Sequence, residues 1–291
     1  MLPRIVTQDP QRSFRGQRVP RFLYGTAWKE ERTRPLTELA LQAGFAGIDT
    51  ANQRRHYLEA AVGEALASAL PALSLARSQV FLQTKYTFVD GQDHRLPYDS
   101  KAPLAVQVQQ SFESSLEHLR TDYVDSYLLH GPASRKGIGP DDWAVWHAME
   151  ALARSGQARF IGVSNVSLAQ LKALYAGADI KPAFVQNRCY ARQGWDREVR
   201  AFCSANDLLY QGFSLLTANQ RELSRPEVAR VVERSGRTPA EVVFSFALAV
   251  GILPLTGTSR SEHMRADLDC LDFELPAATA AVLANIDSAT S

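Results

Sequence analysis

Apolar residues along the chain fall into short runs separated by amphipathic stretches, and each run ends on or beside a polar group. The runs are Phe22 to Gly25, Phe45 to Ile48, Val80 to Gln83, Tyr123 to Leu129, Arg159 to Val163, Ala183 to Val185, Leu208 to Phe213 and Gly251 to Leu255. Apolar runs this short read as buried strands. Between them, Val108, Phe112, Leu116 and Leu119, or Trp146, Met149 and Leu152, recur at the three- and four-residue steps of a helix face that packs on a sheet. Strand and helix alternate throughout, which predicts eight βα units in about 250 residues and so a single α/β domain over residues 1–291, a (β/α)8 TIM barrel. A doubly wound open sheet is the competing arrangement, but no GxGxxG follows a strand.

The strand ends favour the barrel. They carry Asp49, Lys85, His130, Ser164 with Asn165, Gln186, Ser214 and Thr256. In a closed barrel these groups converge around one opening, whereas an open sheet spreads them along an edge. Asp90 to Lys101 and the segment after His130 are expected as rim loops, and the tail from about residue 273 as a cap on the barrel.

The segment Gly44 to Leu66, GFAGIDTANQRRHYLEAAVGEAL, places the carboxylate of Asp49 and the phenol of Tyr57 on one strand-to-helix loop. An amine beside a phenol and a carboxylate moves a proton onto an oxygen. An ammonium favours the phenolate and so lowers the phenol pKa from its usual value near 10. Lys85 is placed to supply that charge, Asp49 to offset the cost of burying it, and His130 to donate a hydrogen bond to the same substrate oxygen. Each residue taken singly has a structural alternative: a capping aspartate in a solvated turn, a snorkelling rim lysine, a satisfied strand-end histidine.

Charge and composition narrow the partners. With 32 basic and 31 acidic residues, the net charge of +1 gives no electrostatic footprint for nucleic acid or an anionic membrane, so a small-molecule partner is expected. Cys189, Cys203 and Cys270 are widely spaced, without CxxC or histidine companions; neither a disulfide framework nor a metal site is expected, and buried thiols in a reducing compartment are. The first residues lack the apolar core of a signal peptide and no run approaches a membrane span, so cytoplasmic residence is expected, as a monomer or weak homo-oligomer.

Several blocks together resemble one family. GIDTA with a following VGEAL, FLQTK, SLEHLRTDYVDSYLLHGP, GQARFIGVSN and PAFVQN are similar, in order and spacing, to the aldo-keto reductases, from about Phe22 to Leu275. The resemblance implies a (β/α)8 barrel binding NADPH, or NADH, in an extended pose. Hydride then passes from nicotinamide to the carbonyl carbon of an aldehyde or ketone while a tyrosine protonates the oxygen. By position, Asp49 and Lys85 match the family's ion pair and His130 its carbonyl-orienting histidine. The family's tyrosine lies five residues after the aspartate, where this chain has Arg54. Tyr57 stands eight residues on, and the segment from Asp49 to Val62 is longer than usual by two. An expanded loop that still presents Tyr57 is therefore expected. Tyr86, the fallback acid, is a strand neighbour of Lys85 and should point away from its face.

The resemblance also implies a cofactor site. Ser164, Asn165 and Gln186 match the residues that hold the nicotinamide amide, and Phe213 the ring stacked on it. Ser214, Leu215 and Leu216 match the pyrophosphate segment, and Thr256, Gly257, Thr258, Ser259 and Arg260 the loop around the adenosine phosphate. Where many members bind the 2′-phosphate with lysine and arginine, this chain has Gly257 and His263, so Arg260 or Arg265 is expected in their place. Trp28, Tyr86 and Phe88 are expected to form an aromatic substrate wall. Arg54, Arg55 and His56 read as a solvated basic loop or, alternatively, as a lure for anionic substrates. Two other functions compete with carbonyl reduction: a cofactor-binding regulatory subunit of a complex, and a barrel lyase or aldolase using Lys85 as a Schiff-base amine.

Overall fold

Each of the eight apolar runs forms a strand, and together they close into a parallel barrel in the computed structural model, which describes residues 9–286. An antiparallel hairpin of β1 (Gln11–Phe14) and β2 (Gln17–Pro20) precedes it. The barrel strands are β3 (Leu23–Gly25), β4 (Gly47–Asp49), β5 (Phe81–Tyr86), β6 (Val124–Leu129), β7 (Ala158–Ser164), β8 (Phe184–Arg188), β9 (Leu209–Phe213) and β10 (Ile252–Thr256). Leu255 pairs with Leu23, which joins β10 to β3 and leaves no open edge. The connecting helices are α1 (Thr33–Ala43), α2 (Glu59–Ala72), α3 (Leu104–Leu119), α4 (Pro140–Arg154), α5 (Leu168–Gly177), α6 (Arg197–Ala205), α7 (Gln220–Leu223), α8 (Pro226–Ser235), α9 (Pro239–Ala249), α10 (Ser261–Asp269) and α11 (Ala277–Ala284).

Strand alternation sorts the side chains into an outer and an inner set. Outward, Leu82, Tyr86, Tyr127, Leu129, Ile161 and Val185 pack with the helix faces, including Val108, Phe112, Trp146 and Met149, in one continuous core. Inward, Leu23, Phe81, Leu128, Phe160, Phe184, Leu253 and Leu255 fill the lower barrel. The hairpin, absent from the sequence reading, closes this end: Phe14 sits 5.7 Å from the Phe160 ring and 5.9 Å from Phe184. Its turn places Arg15 and Gly16 at φ 46° and 76°, the paired positive values of a tight hairpin turn that glycine adopts without strain. Gly63 explains the VG pair of the sequence motif: a Cβ there would strike the His118 carbonyl, so glycine permits α2 and α3 to touch.

Local signals set the helix starts nearest the cavity described below. Ser167 and Gln170 form a capping box before α5, and Thr238 and Glu241 another before α9, whose first residue is Pro239. The tail, expected as a cap, packs as α11 against α8, α9 and the 191–196 turn, with Trp195 Nε1 donating to the Leu283 carbonyl at 2.8 Å. No described residue after Asp267 lines the cavity. Cys189, Cys203 and Cys270 are free and buried. Among the described residues no helix is long and apolar enough to cross a membrane, and no group of three or more metal-ligating side chains occurs.

Candidate active site

Above the apolar lower layer, the inward positions turn polar. Gln83 and Lys85 on β5, Gln186 on β8, Gln211 on β9 and Asp49 at the end of β4 meet across the barrel. Lys85 is fully buried, and its three ammonium protons have three acceptors: Asp49 Oδ1 at 2.7 Å, Asp49 Oδ2 at 2.8 Å and the Thr50 carbonyl at 2.8 Å. Burial draws the Lys85 pKa down and the Asp49 carboxylate opposes it. Asp49 Oδ1 also accepts from Gln83 Nε2 at 2.6 Å and Gln186 Nε2 at 3.0 Å, while Gln211 Oε1 accepts from both amides. A carboxylate only accepts, so both glutamines must turn their NH2 groups to it, and the Gln186 oxygen remains for the cavity.

Tyr57 reaches this group across the expanded loop. Its ring centroid lies 5.3 Å from Lys85 Nζ and 5.9 Å from the His130 ring, and all three converge at the mouth of the barrel. Three side chains fix the loop. Asn52 Nδ2 donates to the Ser111 carbonyl of α3 at 2.9 Å, Gln53 Nε2 to the Gly91 carbonyl at 2.7 Å, and Gln92 Nε2 to the Asn52 carbonyl at 2.9 Å. The expected lowering of the phenol pKa is corrected by the structure. Burial, reinforced by the Asp49 carboxylate, pushes the Tyr57 pKa up, so the hydroxyl keeps its proton at neutral pH. His130 shifts the other way: burial, then the Lys85 charge, pushes its pKa down to about 3, which makes the ring neutral. Its Nδ1 lies 2.7 Å from Thr87 Oγ1.

These residues open into a cavity of about 1120 Å³ that runs from Tyr57 and His130 past Phe213 to Thr258. Asp49, Ser164, Asn165 and Gln186 line its deep end, the exposed Trp28 its entrance, and Phe213, Ser214, Leu215, Leu216, Thr256, Gly257 and Thr258 its long arm. Four expected contributors stand elsewhere. Tyr86 is buried on the helix side, where its hydroxyl donates to Gln107 Oε1 at 3.3 Å, because it follows the inward Lys85 along β5. Phe88 packs on it at 5.4 Å, so neither ring is part of the cavity wall. Ser259 and Arg260 are exposed outside the lining, and Arg260 Nε donates to Glu262 Oε1 at 2.7 Å, because α10 begins just there and turns the guanidinium to its first-turn carboxylate.

The basic residues that do line the arm are Lys29, whose Nζ donates to the Gly257 carbonyl, and, as an imidazole, His263; Arg188 lines the mouth, in register with Phe213. Arg265 is exposed and does not line it. Lys29 escaped the sequence reading because its only signal was its place four residues after β3. Gln83, Gln211 and Thr87 escaped it because polar residues inside a strand or just after it carry no motif of their own.

Asp267 lines the arm and accepts from Thr256 Oγ1 at 2.7 Å, and burial raises its pKa to about 7. Its folded value lies above the unfolded one near 3.9, so its contribution to stability is complete below that value and is lost as pH rises through about 7. Asp267→Asn keeps an acceptor for Thr256 and removes the titration. The variant is expected to gain on the parent between pH 5 and pH 8, by on the order of 2–4 kcal/mol in denaturant unfolding. Parallel pH profiles for the two proteins would contradict the assignment.

The comparisons with known proteins agree with this geometry. The sequence model of the "Aldo/keto reductase family" matches residues 23–288. An "Aldo-keto reductase" of Mycolicibacterium vanbaalenii is 32% identical over 251 residues, covering 86% of this chain and 82% of that protein. The crystal structure of an aldo/keto reductase from Brucella melitensis superposes with a TM-score of 0.80 over 96% of this chain and 98% of that one, at 24% identity. A silkworm (Bombyx mori) aldo-keto reductase complexed with NADPH gives a TM-score of 0.80 over 96% of this chain and 88% of that one, at 22% identity.

Proposed function

Because the chain belongs to the aldo/keto reductase family, we propose that it is an NADPH-dependent oxidoreductase that reduces an aldehyde or ketone, with Tyr57 as the proton donor. The observation that carries this reading is the convergence of Tyr57 and His130 in the wall of one cavity with Lys85 buried behind them, Lys85 Nζ lying 5.3 Å and the His130 ring 5.9 Å from the phenol ring.

The residues fit the cofactor. Gln186 has given its NH2 to Asp49 and Gln211, and Asn165 has given its NH2 to the His130 carbonyl and Ser164 Oγ, so both amides keep a carbonyl oxygen for the two N–H donors of a carboxamide. Phe213 offers a ring face beside them. Farther along, Lys29 supplies positive charge and His263 an imidazole at the Gly257 loop, where the sequence reading placed Arg260. A silkworm relative holds NADPH, which supports the phosphorylated form. When bound, the cofactor supplies the hydride.

The chain's own residues handle the carbonyl oxygen. Neutral His130 orients it by hydrogen bonding, and Tyr57 delivers a proton as negative charge develops there. Lys85 stabilises the phenolate left behind through its charge, and Asp49 holds Lys85 in place. Trp28 and His56, whose rings lie 3.9 Å apart, wall the entrance and suit a hydrophobic or aromatic carbonyl.

Oxidation of NADPH by a panel of aromatic and aliphatic aldehydes tests the function. Turnover of aromatic members with a kcat of roughly 0.1–10 per second is expected. Cofactor binding with no turnover across the panel would favour a regulatory subunit instead. Borohydride is expected to trap no substrate carbon on Lys85, since all three of its protons are committed and the amine has no free lone pair for Schiff-base chemistry.

A further inference from the structure

We propose that Thr87 is a positioning residue for this reaction: its hydroxyl fixes the His130 ring in the tautomer that carries its proton on Nε2, which presents a donor to the substrate oxygen. The inference deepens the reading of the site as a carbonyl reductase and names a residue that acts through His130.

Thr87 lies just beyond β5 and is buried, with Oγ1 2.7 Å from His130 Nδ1. A neutral imidazole has one N–H, so this contact is made in one of two ways. In the first, the Thr87 hydroxyl donates to Nδ1, and Nε2 carries the ring proton. In the second, Nδ1–H donates to Thr87 Oγ1, and the hydroxyl proton must find another acceptor. Among the described residues Thr87 Oγ1 has no other hydrogen-bond partner. The second arrangement therefore strands a buried donor, which disfavours it by on the order of 5- to 100-fold in population. The difference matters chemically. Nε2–H attracts a carbonyl oxygen, whereas a bare Nε2 repels it.

Both partners are held in place by their main chains. The His130 N–H donates to the Tyr86 carbonyl at 2.8 Å, and the His130 carbonyl accepts from Asn165 Nδ2 at 2.8 Å. The Thr87 carbonyl accepts from the Tyr98 hydroxyl at 2.7 Å and from Gln92 Nε2 at 3.5 Å, and Gln92 Nε2 also bonds the Asn52 carbonyl. The ring that orients the carbonyl and the loop that carries Tyr57 are thus set by one connected group of hydrogen bonds. Thr87→Val keeps the shape of the side chain and removes its donor; Thr87→Ser keeps the donor.

Nitrogen-15 NMR of histidine-labelled protein reads the tautomer directly, with His130→Gln identifying the His130 signals. The parent is expected to show a protonated Nε2 and a bare Nδ1 at neutral pH, a readout that needs neither cofactor nor turnover. Thr87→Val is expected to shift the His130 Nδ1 signal to that of an unbonded nitrogen and to lose on the order of 10- to 100-fold in kcat with NADPH affinity unchanged, as the ring loses the bond that fixes it, and Thr87→Ser to restore both. Protonated Nδ1 in the parent would overturn the proposal, as would a Thr87→Val variant with the parental Nδ1 signal and kcat. A parent that shows the Nε2–H form but reduces no carbonyl would leave the assignment of Thr87 standing and remove the reductase reading.

Discussion

Tyr57→Phe is expected to lower kcat for carbonyl reduction by roughly 10²- to 10⁴-fold, the range of a lost general acid, while NADPH affinity stays within about threefold. Among the described residues no other tyrosine lines the cavity. The Tyr24 hydroxyl donates to the Thr258 carbonyl at 2.9 Å, the Tyr98 hydroxyl to the Thr87 carbonyl, and Tyr86 is on the helix side of β5. The loss should persist across the working pH range, because burial holds the Tyr57 pKa above its ordinary value and the parent phenol is protonated throughout. The acid strength needed in the reaction comes from developing charge on the substrate oxygen and from Lys85, not from a pre-formed phenolate. Single-turnover oxidation of NADPH in the two proteins checks this. A variant that kept the parental rate would assign the proton to another group.

Lys85→Met is expected to destabilise the fold by about 3–5 kcal/mol as well as to abolish most activity, since it leaves a buried carboxylate with two amide donors and no counter-charge. Adding Asp49→Asn to it should recover a large part of that stability, because the asparagine oxygen still accepts from Gln83 and Gln186 and no charge is stranded. Activity should not return with it, as the positive charge beside Tyr57 is gone. Denaturant unfolding of parent, single and double variants measures the coupling. Equal stability of the single variant and the parent would mean that the pair is not ionised in the folded protein.

Much of this fold was legible because most outward-facing strand residues are apolar. The strand positions follow from that, yet their ends do not. Val80 to Gln83 was the visible run, whereas β5 extends to Tyr86, because Gln83 and Lys85 point into a polar barrel layer that breaks the apolar pattern while the backbone pairing with β6 continues. The hairpin was illegible for the opposite reason: of its strand residues only Phe14, Val19 and Pro20 are buried, so it carries almost no apolar signal. Asp49, Lys85 and His130 could be placed as strand-end groups. Where Tyr57 sits could not be derived from spacing, since the longer loop is steered by Asn52, Gln53 and Gln92 through contacts distant in sequence. The direction of its pKa shift was likewise hidden, because it turns on burial that only the closed barrel creates.

Alternation along β5 places Tyr86 on the face opposite Lys85, and the same rule removes Tyr86 from the substrate wall. Phe88 follows it by packing. At the far end of the cavity, Arg260 matched a sequence position, but the start of α10 pairs it with Glu262 in a fully exposed contact, while Lys29 enters from a loop on the other side of the β10–β3 seam. A residue brought in by barrel closure leaves no local trace in the sequence.

The most direct measurement follows the hydride itself. The protein is incubated with NADPH deuterated at the transferring C4 position and an aromatic aldehyde, and the alcohol is analysed by mass spectrometry. One deuterium on the carbinol carbon, supplied by the cofactor and not by solvent, is the predicted result. An aldehyde left unreduced, or an alcohol whose carbon bears no deuterium from the cofactor, would contradict it.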